Sequence, residues 1–253
     1  MTLENKQIKE LITSKWDESS ATYDTQHGHK VKSLEEADAW KSMFKKIIPE
    51  GKLDVLDVGC GTGELSVLFA EMGHNVTGLD LSEKMMEKGR LKSMSQGLSI
   101  KFLKGDAENP PFDEKNFDVV ITRHLLWTLP NPKTAVKNWN RVLRDGGYAI
   151  IVDGIWDDGS LNTRVRRFIS SLGILIFEQA NPWKGNYSKE LAASLPNASG
   201  TSLEESRQYL KNAGFSKIDA YDISHIRKIQ KQYMSFWKRI GYNYDYYMLY
   251  GEK

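Results

Sequence analysis

The sequence predicts an α/β fold in which helices cover both faces of a doubly wound parallel sheet. Short apolar runs alternate along the chain with longer stretches that have helical periodicity. Glycine and other turn residues separate most of these segments. Because parallel strands are joined by crossover helices, the alternation favours a parallel sheet that binds its ligand at the carboxyl ends of the strands.

The core of this pattern contains strands and helices in strict alternation. Strands are predicted at 52–58, 74–79, 100–104, 117–122 and 148–153. Helices are predicted at 64–72, from Ser82 toward Gly89, and at 132–143. A turn at 144–147 joins the last of these helices to the fifth strand, so the core forms repeated strand–helix units.

At 253 residues the chain is long enough for one sizeable domain and too short for two full ones. We divide that single domain, 1–253, into four parts. These are an N-terminal helical lid (1–49), a cofactor-binding core (50–153), a cap insertion (154–200) and a C-terminal part of the core (201–253). The last part adds a helix over 204–213 and strands over 217–223 and 246–250.

Composition limits the classes of partner. The 35 Lys and Arg residues nearly balance the 33 Asp and Glu residues, which disfavours a nucleic-acid partner. Cys60 is the only cysteine, so an internal disulfide framework and a zinc cluster of several thiolates are excluded. No apolar stretch is long enough to span a bilayer. We expect a cytoplasmic protein with a small-molecule substrate, and the oligomeric state stays open.

The strongest motif is the segment Val55-Leu-Asp-Val-Gly-Cys-Gly-Thr-Gly63, which joins the first strand to the first core helix. Glycines at 59, 61 and 63 let the backbone approach a ligand closely. The free N–H groups at the start of the helix suit a ligand carboxylate. The spacing is G-x-G-x-G, whereas a dinucleotide site needs G-x-G-x-x-G, and Glu64 occupies that third glycine position.

Acidic residues end the next two strands. Asp80 ends the second strand, where a carboxylate can accept two hydrogen bonds from a ribose diol. Asp106 follows the third strand and is placed to accept from an adenine amine, while Ala107 leaves room for the ring. Taken in order with the glycine loop, these residues predict one nucleoside pocket.

These motifs resemble those of the class I methyltransferases that depend on S-adenosylmethionine, especially the ubiquinone and menaquinone biosynthesis type. The resemblance is dense over 52–153 and looser at both ends. It implies a Rossmann-like sheet of seven strands with the last strand antiparallel. It also implies S-adenosyl-L-methionine as cofactor, S-adenosyl-L-homocysteine as product, and transfer of the methyl group to a small molecule.

The resemblance also implies roles for single residues. In such enzymes the glycine loop binds the methionine part, Asp80 matches the ribose acid, and Arg123 and His124 match the end of strand four beside the sulfonium. Tyr23 resembles a lid residue above the methyl group. The full expected cofactor site is Tyr23, Asp57, Gly59, Cys60, Gly61, Gly63, Asp80, Leu81, Met85, Asp106, Ala107 and Arg123.

A general base is needed only if the acceptor arrives protonated. His124 is the first candidate, because imidazole titrates near working pH and the residue follows a buried strand. His27 and His29 follow as catalytic candidates, with Tyr23 behind them. His27-Gly28-His29 has a spacing that suits a metal, but two ligands without a third favour a polar loop, so we predict no metal.

Three other functions stay open. A nicotinamide-dependent oxidoreductase shares the plan, but the glycine spacing disfavours it. Methylation of RNA or protein would use the basic stretch between Arg227 and Arg239, which we interpret as a solvated helix face. A regulator that binds the cofactor without catalysis is the third. The apolar segment 168–177 either lines a substrate cavity or joins the core.

Overall fold

The computed structural model describes residues 3–26, 28–182 and 187–253. Seven strands form one sheet: β1 (Asp54–Val58), β2 (Asn75–Asp80), β3 (Ile100–Lys104), β4 (Phe117–Arg123), β5 (Leu143–Gly154), β6 (Ser216–Tyr221) and β7 (Tyr246–Glu252). Their spatial order is β3-β2-β1-β4-β5-β7-β6.

The strand order places β1 and β4 side by side at the centre of the sheet. β1 pairs in parallel with β2 on one side and with β4 on the other, while β7 runs antiparallel to both β5 and β6. The predicted mostly parallel, seven-stranded sheet with an antiparallel last strand is therefore confirmed. The winding reverses between β1 and β4, and a crevice opens at the carboxyl ends of strands at such a point.

Ten helices surround this sheet within the described ranges. They are α1 (Asn5–Ser19), α2 (Leu34–Phe44), α3 (Glu64–Glu71), α4 (Glu83–Ser95), α5 (Pro132–Val142), α6 (Leu161–Phe177), α7 (Lys189–Ala193), α8 (Leu203–Asn212), α9 (Ser224–Gln232) and α10 (Phe236–Gly241). Serine hydroxyls accept a hydrogen bond from the first turn at the starts of α2, α4, α6 and α8. Such caps satisfy backbone donors that the helix itself leaves unpaired.

Apolar residues of the central strands are buried on both faces of the sheet. On β1, Leu56 and Val58 pack with Trp139 of α5 on one face, whereas Val55 packs with Trp40 of α2 on the other. Successive side chains of a strand point to opposite faces. The near-continuous apolar runs in the sequence are therefore the mark of strands covered by helices on both sides.

Among the element boundaries that differ from the prediction, two have a clear structural cause. Helix α4 continues through Gly89, because that glycine allows close packing; a Cβ there would lie 2.8 Å from the Phe102 ring. Strand β5 begins at Leu143, which pairs with Phe117, and regular pairing resumes with Tyr148 opposite Val119. The predicted turn at 144–147 is thus an irregularity inside a strand.

The two helices of the N-terminal segment pack in different apolar clusters. Ile8 and Ile12 of α1 pack against Leu191 and Leu195, at and just beyond α7, above the strand ends. The α2 helix instead buries its apolar face in the core beneath the sheet. None of the helices in the described ranges has the length and apolar character needed to cross a bilayer.

The basic stretch near the C-terminus is only partly a solvated helix face. Lys228 and Arg239 are exposed, but Arg227 is 7% exposed. Its guanidinium lies 3.6 Å from the centre of the Tyr242 ring and 4.5 Å from those of Tyr244 and Tyr246. The prediction was wrong for Arg227, because three tyrosine rings contact its guanidinium by cation–π interactions in place of solvent.

Candidate active site

A cavity of about 530 Å³ lies at the carboxyl ends of the central parallel strands. The residues that follow β1, β2, β3 and β4 form its floor, and side chains of α1 and of the segment around Tyr23 cover it. This volume suits a small-molecule ligand. The sequence-predicted residues that line it are Tyr23, His29, Gly59, Gly61, Asp80, Leu81, Met85, Asp106, Ala107, Arg123 and His124.

The glycine loop turns the chain sharply from β1 into α3. Gly59, Gly61 and Gly63 have φ values of 65°, 54° and 74°, in the left-handed region. Residues other than glycine rarely adopt this backbone conformation. The N–H of Gly59 donates to the carbonyl of Leu79 over 2.8 Å, which holds the loop against the end of β2.

Asp80 joins the glycine loop to the start of α4. One carboxylate oxygen accepts from the N–H of Gly61 and the other from the N–H of Ser82, each over 2.8 Å. Burial raises the pKa of this carboxyl, while the backbone donors lower it. Since each carboxylate oxygen can accept more than one hydrogen bond, both retain capacity toward the cavity.

Asp57 and Cys60 lie behind the loop. Asp57 is 2% exposed and accepts from the N–H of Ser66 over 3.0 Å and from its hydroxyl over 2.6 Å. Burial raises the pKa of Asp57 to about 7. The Cys60 sulfur packs so close to Gly78 that a Cβ there would lie 2.9 Å from it. These contacts position the loop.

Lys9 of α1 closes the cavity above the third strand. Its Nζ lies 2.7 Å from the Asp106 carboxylate and 2.6 Å from that of Glu108. The other Asp106 oxygen accepts from the N–H of Glu108 over 2.9 Å. The carboxylate predicted to meet an adenine amine therefore bonds to the helix that covers the site, and sequence reasoning did not include Lys9.

Tyr23 lies over the glycine loop in a single 3₁₀ turn, Tyr23–Thr25. Its ring stacks on that of His29 with 4.1 Å between centres. The neighbouring Asp24 accepts from the Thr62 hydroxyl over 2.6 Å and pairs with Lys92 over 2.9 Å. Burial raises the pKa of Tyr23 to about 12, so its hydroxyl keeps its proton at neutral pH.

His124 directly follows β4 with a φ of 58°. Its Nε2 lies 2.7 Å from the Tyr246 hydroxyl, and its ring meets the Trp156 ring edge-on with 5.1 Å between centres. Burial first, and the nearby Arg123 charge second, hold the pKa of this imidazole well below its usual range. His124 is therefore neutral at physiological pH.

Arg123 lines the cavity and has one buried donor without an acceptor among the described residues. Its Nη2 donates to the backbone carbonyl of His29 over 2.5 Å. Its Nη1 is buried, and no group in the described part of the chain accepts from it; the same holds for the indole N–H of Trp156. A buried guanidinium N–H without an acceptor is costly. Both residues line the cavity, although these two donor atoms are themselves buried beneath its surface.

Aromatic rings form the remaining wall. Trp127 and Tyr187 stack with 5.0 Å between centres, Trp16 meets both edge-on, and Tyr244 meets Trp156 at 5.0 Å. All five rings line the cavity. Sequence reasoning missed them because they come from separate segments with no shared local pattern, although Trp127 lies three residues beyond His124.

The structure describes only one of the two histidines beside Gly28. His29 lines the cavity beneath the Tyr23 ring. His27 lies outside the described residues. Its catalytic role and the expected absence of a metal therefore stay predictions.

Comparison with known proteins agrees with the fold. Residues 56–151 match the family model described as a methyltransferase domain. A demethylmenaquinone methyltransferase of Staphylococcus aureus is 32% identical over 154 residues, or 59% of this chain and 63% of that protein. The aligned part thus spans less than two thirds of that relative.

Solved structures extend the likeness over the whole chain. Phosphoethanolamine N-methyltransferase 2 of Haemonchus contortus, in complex with S-adenosyl-L-methionine, has a TM-score of 0.67 at 16% identity, covering 97% of this chain and 60% of its own. The [4+2]-cyclase SpnF has a TM-score of 0.62 at 17% identity, covering 100% and 97%. Residues 56–151 are therefore similar to a methyltransferase domain, and the chain as a whole shares the fold of these solved structures.

Proposed function

We propose that this chain transfers a methyl group from S-adenosyl-L-methionine to a small-molecule acceptor. The arrangement of Asp80, Gly61 and Arg123 around one cavity carries the proposal. A carboxylate beside a glycine loop suits a ribose, and a buried guanidinium suits an anionic group. The methyltransferase domain match and the relatives' names support the same activity.

Different residues of the cavity would bind different parts of the cofactor. The glycine loop and the positive charge of Arg123 would hold the amino-acid part, and Asp80 would accept from the ribose hydroxyls. Leu81, Met85 and Ala107 would enclose the adenine ring, with Asp106 at its edge. For Asp106 to accept from the adenine amine, Lys9 must share or release that carboxylate.

The bound cofactor supplies an electrophilic methyl group on a sulfonium. The chain's task is then to align the acceptor and exclude water; alignment contributes on the order of 7 to 11 kcal/mol in favourable cases. The aromatic rings of Trp16, Trp127 and Tyr187 exclude water from the acceptor end. If the acceptor arrives protonated, neutral His124 would take its proton at Nδ1, with Nε2–H donating to the Tyr246 oxygen.

The acceptor is proposed to be a largely apolar or aromatic small molecule, because rings line most of its end of the cavity. The relative named demethylmenaquinone methyltransferase supports an acceptor of this kind. We place the reaction in the cytoplasm, where a lone buried thiol such as Cys60 stays reduced.

A pair of assays tests the proposal. Melting temperature should rise with S-adenosylhomocysteine and stay unchanged with NAD, because a ligand that binds only the folded state stabilises it. Tritiated methyl from the cofactor should then enter the small-molecule fraction of a lysate of the source cell. Label in RNA or protein alone would move the acceptor to those classes, and binding without any transfer would indicate a regulator.

The Arg123→Met variant sharpens this test. It should lose cofactor affinity about tenfold or more, since a charge-assisted hydrogen bond is removed. The matched control is Arg207→Met, because Arg207 donates to the Ile218 carbonyl over 2.8 Å in another part of the fold. Equal affinity in both variants would exclude the assigned role of Arg123.

A further inference from the structure

The cap helix α6 presents its apolar side to solvent. The residues it buries are Thr163, Ser170 and Gly173. Its exposed residues include eight large apolar side chains, each between 42% and 77% exposed: Leu161, Val165, Phe168, Ile169, Leu172, Leu175, Ile176 and Phe177. A helix on a water-soluble surface shows the opposite arrangement. A contiguous exposed apolar face of this kind marks an interaction surface.

Helix α10 explains why the small residues of α6 face inward. A Cβ on Gly173 would lie 2.1 Å from the Trp237 ring, and a Cβ on Gly241 would lie 2.6 Å from the Ser170 hydroxyl. The two helices are therefore in close contact along this side. The Phe177 ring stacks on Trp237 with 5.0 Å between centres, and Phe236, itself 65% exposed, extends the apolar patch.

Basic residues predominate around this patch, and the acidic Asp157 and Glu178 at its two ends pair with Arg167 and Lys238. Segment 161–177 has three basic residues and segment 224–241 has five, and neither contains an acidic residue. Arg164 is exposed and lies three residues after Leu161 and four before Phe168, hence on the exposed apolar face. Arg166 of α6 and Lys231 of α9 both donate to Asn243, so basic groups of the two helices lie near each other.

We propose that the exposed face of α6, continued by Phe236 of α10, binds the surface of an anionic lipid bilayer. Large apolar side chains would enter the interface while neighbouring Arg and Lys residues meet anionic headgroups, as in amphipathic helices that lie in the membrane plane. Charge complementarity favours a bilayer over a second copy of the chain. A twofold dimer would bring this basic surface against itself, with no acidic residue of either segment to pair with.

The patch also adjoins the cavity. Arg167, near the start of α6, and Asp157 both line the cavity and pair with each other over 2.6 Å. A bilayer bound on α6 would therefore lie beside the cap of the site. The membrane inference itself does not depend on the proposed methyl transfer.

Vesicle co-sedimentation of the full chain tests this surface. The protein should pellet with vesicles of phosphatidylcholine mixed with phosphatidylglycerol, should stay in solution with phosphatidylcholine alone, and should lose binding as salt rises. Phe168→Ala should weaken partitioning on the order of tenfold. Arg164→Ala should weaken it roughly fivefold, the effect of one basic residue near a charged membrane.

Matched controls separate this surface from general stickiness. Leu91 is 57% exposed on α4, and Lys137 is exposed on α5, so Leu91→Ala and Lys137→Ala should bind vesicles like the parent chain. Thermal melting confirms that each variant folds. Absence of pelleting with anionic vesicles, or equal loss in the controls, would overturn the proposal. So would a concentration-dependent dimer that Phe168→Ala abolishes without any vesicle binding, because it would assign the face to a second copy.

Discussion

The Nε2 atom of His124 lies 2.7 Å from the hydroxyl oxygen of Tyr246. His124 directly follows the parallel strand β4, and Tyr246 begins the antiparallel strand β7, two strands that are separated by β5 in the sheet. Behind Tyr246, the Arg227 guanidinium lies 4.5 Å from the ring centre. The C-terminal part of the chain thus positions the imidazole that the N-terminal core brings to the cavity.

Tyr246→Phe should reduce methyl transfer about tenfold while leaving S-adenosylhomocysteine affinity nearly unchanged. The variant removes the hydrogen bond that orients His124 and leaves a buried nitrogen unpaired, which costs about 1–3 kcal/mol. Single-turnover rates and calorimetric affinity together measure the effect. Tyr250→Phe on the same strand is the control, because the Tyr250 ring stacks on Tyr221 and Tyr250 is not among the residues that line the cavity. Parallel losses in both variants would exclude a positioning role for Tyr246.

Asp80→Asn should weaken S-adenosylhomocysteine binding tenfold or more. An amide retains only one acceptor oxygen, so it cannot accept from both Gly61 and Ser82 while also facing a ribose diol. Isothermal titration measures the affinity. Glu83→Gln is the matched control, because Glu83 is exposed three residues away and pairs with Arg90 over 2.6 Å. An affinity equal to the parent's would remove Asp80 from the cofactor site.

Lys9→Met should speed the dissociation of S-adenosylhomocysteine and the proteolysis of the first 20 residues. Lys9 bridges Asp106 and Glu108, so its loss frees α1 from the strand ends and leaves two carboxylates close together. Stopped-flow displacement and limited proteolysis measure the two rates. Lys6→Met, at an exposed position on the same helix, should leave both unchanged. Identical rates in Lys9→Met and the parent would show that α1 does not cover the ligand.

Asp153→Asn should change how stability depends on pH. Asp153 is fully buried on β5, and burial raises its pKa from 3.8 to about 8. The folded chain therefore holds a proton that the unfolded chain releases across this window, so raising the pH lowers the free energy of unfolding. Each such proton contributes up to about 1.4 kcal/mol per pH unit.

The variant lacks this proton, so its stability relative to the parent should rise as pH increases from about 4 to about 8. Burial raises the pKa of Asp57 to about 7. Asp57 therefore contributes a similar change of unfolding free energy with pH in both proteins. Denaturant unfolding at several pH values measures the difference, with Asp38→Asn on the exposed face of α2 as control. A constant difference across this range would show that Asp153 ionises normally.

The fold and the glycine loop were predictable because their signals are local. Strand β1, the three glycines and Asp80 occur within one strand–loop–helix–strand stretch, where apolar runs and turn residues fix the structure. The last strand's direction came from the resemblance to known methyltransferases. The helix from Ser82 was predicted only toward Gly89, because the packing partner of Gly89, Phe102, lies on a strand elsewhere in the sequence.

The aromatic wall of the cavity was not predictable because its residues come together only through tertiary packing. Trp16, Trp127, Trp156 and Tyr187 come from α1, the segment after β4 and two parts of segment 154–200. None of these residues is spaced from another by a helical or strand repeat that would have linked them in the sequence. The exposed face of α6 was not predicted for a related reason. The apolar segment 168–177 was expected to line a cavity or join the core, but the small residues of α6 pack against α10 and its large apolar residues are exposed.

Isothermal titration of the purified full chain with S-adenosylhomocysteine, run beside an identical titration with NAD, measures which cofactor class the cavity binds. We expect saturable binding of one S-adenosylhomocysteine per chain, with no heat from NAD. Saturable binding of NAD, or no heat from S-adenosylhomocysteine at millimolar concentration, would contradict this expectation.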